Sequence, residues 1–225
     1  MKRNLWKIFC LAGLLLVGPF LYAGSLDGPG NIFIRQKAPD GKAYRQAFLD
    51  QRAQLKAHGF TAYSLQRDLG DKKTLILTLK CSNLEKGLDF AHSEGFMEAL
   101  DKAGARIPQV WWGLDETGRT YADQPHPPAK SGIIIARNQV RDYPFWLKCF
   151  RSQNHHHEGR QYKNNDYSVH YLPGKPAVAI VVHEASDVSK APIFMTSDHL
   201  NGEMESTGVI GLDIWYGVNI EEGLL

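Results

Sequence analysis

Two histidines stand in strand-like segments of the C-terminal half, His170 within "DYSVHYL" and His183 within "AVAIVVHE". Imidazole exchanges protons near neutral pH. His183 also breaks an apolar run, with Glu184 beside it. A buried imidazole must find a hydrogen-bond partner, so each histidine is either a general base or a satisfied core residue. Tyr167, three residues before His170, could help to position a proton. His183, His170, Tyr167 and Glu184 are thus the candidate catalytic set. Tyr63, Trp111, Trp215 and Tyr216 are the candidate ligand-binding residues, because aromatic faces either fill a core or stack on a flat apolar ligand.

"NHHHEG" carries His155, His156, His157 and Glu158. Adjacent residues on a helix point about 100° apart, so they do not converge on one ion. Metal-binding helices use spacings of three or four. The run reads as a solvated last helical turn, where histidine suits the negative end of the dipole, with a metal or haem contact as the alternative. No metal ligand set and no bound cofactor is assigned. The sequence contains no G-x-S-x-G, nucleophile elbow, P-loop, dinucleotide fingerprint or CxxC, which leaves a serine hydrolase, a nucleotide enzyme and a thiol oxidoreductase without support from motifs.

The elements that must hold these residues occur twice. "SEGFMEALDKAGARIPQVWWG" (93–113) has a near relative in "SDHLNGEMESTGVIGLDIWYG" (197–217), and 61–113 aligns with 165–217 without a gap at an offset of 104. Ser64 meets Ser168, Gln66 meets His170, Leu79 meets His183 and Trp111 meets Trp215. Self-similarity at a fixed offset is the mark of a repeated structural unit.

In the first copy "NIFIRQKA" is a strand and Lys42 to His58 a helix stopped by Gly59. "TAYSLQRD" and "TLILTLKC" form a hairpin, a helix opens around Asn83, Ser93 caps another, and "PQVWWG" is the last strand. The second copy reads "GIIIARNQV", a helix from Tyr143 to about Glu158, "DYSVHYL", "AVAIVVHE", a helix from Asp187, a helix capped by Ser197, and "LDIWYG". Gly104 and Gly208 fit C-terminal stops.

Each unit is β-α-β-β-α-β, the ferredoxin-like arrangement with both helices on one face. Its other face should be wet, yet "LIL", "AIVV" and "GIII" are apolar on both sides, so both sheet faces must be covered. The expected fold is α+β, with units at 30–114 and 131–219 joined by a linker at 115–130 and packed sheet to sheet within one chain. Adjacent aromatics on the last strands then point oppositely, one of Trp111–Trp112 and one of Trp215–Tyr216 toward the shared core.

"RDYPFWLKCF" places Asp142, Tyr143, Trp146 and Phe150 in the pattern D-Y-x-x-W-x-x-x-F, followed by "HEASDVSKAPIF" and a serine-initiated helix. This resembles the dimeric α/β-barrel superfamily, specifically antibiotic-biosynthesis-monooxygenase-like and cyclase-like proteins, as a tandem duplication. The first copy lacks the pattern, with "AYRQAF" in its place. Members usually bring two chains together; here one chain would supply both halves and act as a monomer. The resemblance implies a cofactor-independent oxygenase or cyclase acting on a small aromatic or quinone-like molecule in a barrel pocket. A non-catalytic ligand-binding or structural role, and haem or metal binding through histidines, are the alternatives.

Residues 1–23 join a basic start (Lys2, Arg3, Lys7) to the apolar "IFCLAGLLLVGPFLYA" and small Ala23-Gly24. This reads as a cleavable secretory signal peptide, leaving a periplasmic or secreted chain with no stable membrane anchor. Without it, 23 basic side chains face 24 acidic ones, a formal net of −1. No basic surplus remains for phosphates, which argues against a nucleic-acid partner. Cys81 and Cys149 fit core patterns as free thiols, although an exported chain could pair them.

Overall fold

Eight strands close into one barrel in the computed structural model, which describes residues 25–116, 132–152 and 164–225. The first half runs β1 (Gly30–Lys37), α1 (Gly41–Asp50), α2 (Arg52–Ala57), β2 (Phe60–Asp68), β3 (Thr74–Cys81), α3 (Leu84–Ala91), α4 (Glu94–Lys102) and β4 (Arg106–Asp115). The second runs β5 (Gly132–Val140), α5 (Tyr143–Ser152), β6 (Asn164–Leu172), β7 (Ala177–Ala185), a 3-10 turn (Val188–Lys190), α6 (Ala191–Met195), α7 (Asp198–Ser206) and β8 (Val209–Leu224). Around the barrel the order is β1-β3-β2-β8-β5-β7-β6-β4, antiparallel throughout. The expected α+β architecture is present, with helices outside and strands from both halves enclosing a common interior.

Local signals were accurate where short-range chemistry decides. Asn83, Ser93 and Ser197 accept from the backbone N–H groups of Lys86, Phe96 and Leu200 at 2.9, 3.4 and 3.3 Å, satisfying donors that open a helix. Gly104 and Gly208 take φ of +85° and +82°, a region that side chains resist. The helix expected over 42–58 instead divides at Gln51, whose N–H turns back to Phe48 O at 3.0 Å. The helix expected from Asp187 is a 3-10 turn followed by five α-helical residues. The segment 1–24, the "NHHHEG" run and all of the expected linker 115–130 but its first two residues lie outside the described residues, and of those two Asp115 ends β4. Among the described residues no helix is long and apolar enough to cross a membrane.

Alternation sorts every strand into two faces. Ile32, Ile34, Leu75, Leu77 and Leu79 pack under the first-half helices, while Phe33 and Ile76 point into the barrel. Likewise Ile134 and Ala136 face the second-half helices, and Ile133 and Ile135 face inward. Strands apolar on both sides are what such a two-layered burial requires. The halves join at two seams of unequal length. β2 and β8 share seven residue pairs, because β8 runs on past Gly217 to Leu224. β4 and β6 share two, Leu114 with Tyr171 and Asp115 with His170. Cys81 and Cys149 are both free thiols, Cys81 buried and Cys149 partly exposed.

Candidate functional site

The barrel interior is filled at its centre. Trp111 and Trp215 stack on one another with ring centroids 3.5 Å apart and planes 16° from parallel. Phe33, Ile76, Ile135 and Ile180 pack around them. The two tryptophans expected to stack on a ligand thus occupy each other's faces. Trp112 and Tyr216 point outward to the helices, as the alternation required. At one end the interior is ionic: Arg35 donates to Asp68 at 2.8 Å and to Gln109 at 3.0 Å. Arg137, the matching residue of the second half, donates to Asp213 at 3.0 Å and lies 5.9 Å over the Trp111 ring.

A cavity of about 40 Å³ lies instead on the outer face of the sheet, between β5, β7 and the helices α5 to α7 of the second half. Trp146, Phe150, Phe194 and Met204 form its apolar walls, and Asn138, His183 and Glu203 bring polar groups to it. Alternation explains the assembly: Ala136, Asn138, Val181 and His183 share the helix-facing side of their strands, and Trp146 and Phe150 are four apart on α5. Trp146 stacks on Phe150 at 5.0 Å and 16°. The Asn138 amide is fixed by donating to Ala136 O and Ala179 O, each at 3.3 Å. His199 pairs with Glu203 at 3.3 Å from the next turn of α7.

The candidate catalytic residues do not converge. His183 belongs to this outer cleft and is 8% exposed, whereas His170, 1% exposed, faces the barrel interior. Tyr167 pairs with His183 across β6 and β7; its side chain lies outside the described residues. Glu184 follows His183 and so takes the opposite, inner side of β7. Of the aromatic candidates, Tyr63 lies under the first-half helices and donates to Glu221 at 2.6 Å, and Glu221 also binds Arg45 through both of its oxygens. Burial, then the Glu221 carboxylate, raises the Tyr63 hydroxyl above its ordinary value, and burial does the same to Tyr216.

His170 has partners that the sequence did not reveal. Its Nδ1 lies 2.9 Å from Asp115 Oδ1, and its Nε2 lies 2.9 Å from Ser168 Oγ and 3.1 Å from Asn31 Nδ2. A carboxylate only accepts, so Nδ1 donates to Asp115, and in the neutral ring Nε2 is the acceptor facing the hydroxyl. Ser168 shares His170's face because it is two residues away, which the strand period discloses. Asp115 comes from the other half across the short seam, and no local pattern could find it.

No family model and no curated protein matches the chain. Solved structures do resemble it. A candidate monooxygenase from Lactobacillus acidophilus superposes with a TM-score of 0.55 at 12% identity, covering 88% of this chain and 99% of that one. An anthrone oxidase-like protein gives 0.56 at 9%, covering 89% and 95%. A heme-binding protein from Thermus thermophilus gives 0.52 at 13%, covering 88% and 93%. At these identities the likeness is one of fold: the chain has the dimeric α/β-barrel architecture of ferredoxin-like units, with both halves supplied by one polypeptide.

Proposed function

We propose that the cleft beneath α5 to α7 binds a small planar apolar molecule, and that the chain acts on it as a cofactor-independent oxygenase- or cyclase-like protein. The carrying observation is the mixture in one cleft: aromatic and methionine walls with Asn138, His183 and Glu203 on its surface, the usual make-up of a small-molecule site. His183 is suited to take a proton from a phenol or an activated carbon, after which the electron-rich substrate can pass electrons to dioxygen. Two fold neighbours, a candidate monooxygenase and an anthrone oxidase-like protein, agree with that class. The site differs from the sequence expectation of a pocket inside the barrel, which Trp111 and Trp215 fill.

The volume favours a second reading. About 40 Å³ is little more than one water's share of liquid, about 30 Å³, so a ring enters only if Phe194, Met195 or Met204 moves aside. Methionine adapts readily; if it does not here, the protein is a structural or weak binding module. A cavity of about 40 Å³ has no room for a haem macrocycle, and a haem contact through His155, His156 and His157 falls outside the described residues. Among the described residues no group of three His, Cys, Asp or Glu side chains could hold a metal ion.

The offset of 104 supports an origin by duplication and a monomeric pseudo-dimer, and residues 1–23 support export and cleavage near Gly24. Oxygen uptake and thermal shift with anthrones and quinols decide between the functional readings. Turnover or a raised melting temperature, lost in His183→Ala, supports the first; neither effect with any compound supports the second. A chain recovered with Met1 intact would end the export proposal.

A further inference from the structure

The inner face of the sheet holds a second constellation, independent of the outer cleft. We propose that Ser168, His170, Asp115 and Asn31 form a serine acyl-transfer site that hydrolyses small esters at the β4–β6 seam.

The order of the groups is the first argument. Carboxylate, imidazole and hydroxyl form one chain of 2.9 Å contacts, Asp115 Oδ1 to His170 Nδ1 and His170 Nε2 to Ser168 Oγ. This is the connectivity by which a base, oriented by an acid, activates a hydroxyl. Asn31 Nδ2 stands 3.1 Å from the same Nε2 and 3.3 Å from Nδ1, so the amide lies against the imidazole ring beside the group that the hydroxyl faces. Exposure is graded as the chemistry needs. His170 is buried, its ring held edge-on against Phe33 at 5.3 Å. The Asp115 side chain is 27% exposed, and Ser168 is partly exposed at the rim.

The second argument is the matching place in the other half. Gln66 pairs with Asn219 across the β2–β8 seam as His170 pairs with Asp115. Ile133 pairs with Gly217 as Asn31 pairs with Gly113. The backbones coincide closely: a Cβ on Gly113 would come within 2.8 Å of His170 Cβ, and one on Gly217 within 2.6 Å of Gln66 Cβ. Serine occupies both copies, as Ser64 and Ser168. The base, its orienting acid and the amide donor occur only around Ser168. Three polar exchanges centred on one hydroxyl are more than packing requires, since the matching seam of the other half forms with neither side-chain polar atom of Gln66 bonded.

The chemistry balances with water as the co-reactant. Ser168 Oγ attacks the ester carbonyl carbon as its proton passes to His170 Nε2, and an Asn31 N–H donates to the developing oxyanion. The carbon–oxygen bond to the alcohol breaks, and the alcohol leaves with the proton from Nε2. Water then repeats the sequence on the acyl-serine, releasing the carboxylic acid and restoring the hydroxyl. Asp115 keeps Nδ1 protonated throughout and holds the ring.

A fluorophosphonate probe tests the site without any variant. On the folded protein, intact mass should rise by one adduct, and peptide mapping should place it on Ser168. Hydrolysis of p-nitrophenyl acetate should fall by about 10²–10⁴-fold in Ser168→Ala and be unchanged in Ser64→Ala. Asp115→Asn, nearly the same in shape, should slow labelling while circular dichroism stays as in the wild type. A folded wild-type protein that takes no adduct at Ser168 overturns the proposal. So does labelling that proceeds equally in Asp115→Asn, which would make the cluster a structural tie of the seam.

Discussion

Trp111 and Trp215 stack face to face across the barrel, 3.5 Å between centroids, one from each half. Neither half could hold its tryptophan this way alone, so the pair couples the stability of the two units. Trp215 is 6% exposed and Trp111 more so. Truncating a buried tryptophan costs about 3–5 kcal/mol. Trp215→Ala is expected in that range and Trp111→Ala below it, measured by urea denaturation. A loss under about 1 kcal/mol for Trp215→Ala would mean that the barrel centre collapses onto the space.

Cys81 lies against α3, its thiol donating to Gly30 O at 3.3 Å, and burial pushes it up to about 11. The thiolate is the reactive form, so at pH 8 the folded chain should alkylate at Cys149 and spare Cys81. Both should react in denaturant. Mass spectrometry after brief iodoacetamide treatment reads the difference; equal labelling of the two in the folded state would show that β3 and α3 open freely.

Much of this barrel was legible in the sequence because its causes are local. Strands apolar on both sides demanded two covered faces, and Ser93, Ser197, Gly104 and Gly208 marked helix ends through bonds to near neighbours. The opposite pointing of Trp111 and Trp112 followed from the strand period alone. The site was less legible for the same reason. In "AVAIVVHE" both faces are apolar, so nothing showed that His183 shares the helix side with Val181 while His170 takes the interior. Asp115 read as the start of a linker, and its partner is 55 residues away. The polar Glu221 and Glu222 likewise gave no hint that β8 continues along β2.

Glu221 predicts an acid response. Its bonds from Arg45, then from Tyr63, hold its carboxyl below the ordinary value near 4.5. A depressed folded-state value contributes stability that is fully present above 4.5 and lost as pH falls through the lower folded value. Glu221 tethers the end of β8 to α1 and β2. The expected outcome is that Glu221→Gln is less stable than the wild type at neutral pH and loses less on going from pH 6 to pH 3. Melting temperatures across that range check it. Parallel curves for the two proteins would show that the solvent-facing part of the Arg45–Glu221 pair screens it to insignificance.

His170 and Gln66 occupy matched positions with opposite polar satisfaction, and their substitution should separate accordingly. Both Nε2 and Oε1 of Gln66 are buried with no partner in the described structure, at 0% exposure of the residue. An unsatisfied buried group carries a desolvation cost of about 1–3 kcal/mol, so Gln66→Met, similar in length and apolar, should be neutral or stabilising. His170 is the reverse case, bonded at both ring nitrogens. Removing it strands Ser168 and the partly exposed Asp115 carboxylate at a seam of two residue pairs. His170→Met should therefore cost about 1–3 kcal/mol, toward the lower end because water reaches Asp115. Denaturation midpoints of the two variants at neutral pH give the comparison. If Gln66→Met proves the more damaging, an ordered water satisfies that amide inside the barrel, and the β2–β8 seam is the more demanding polar site.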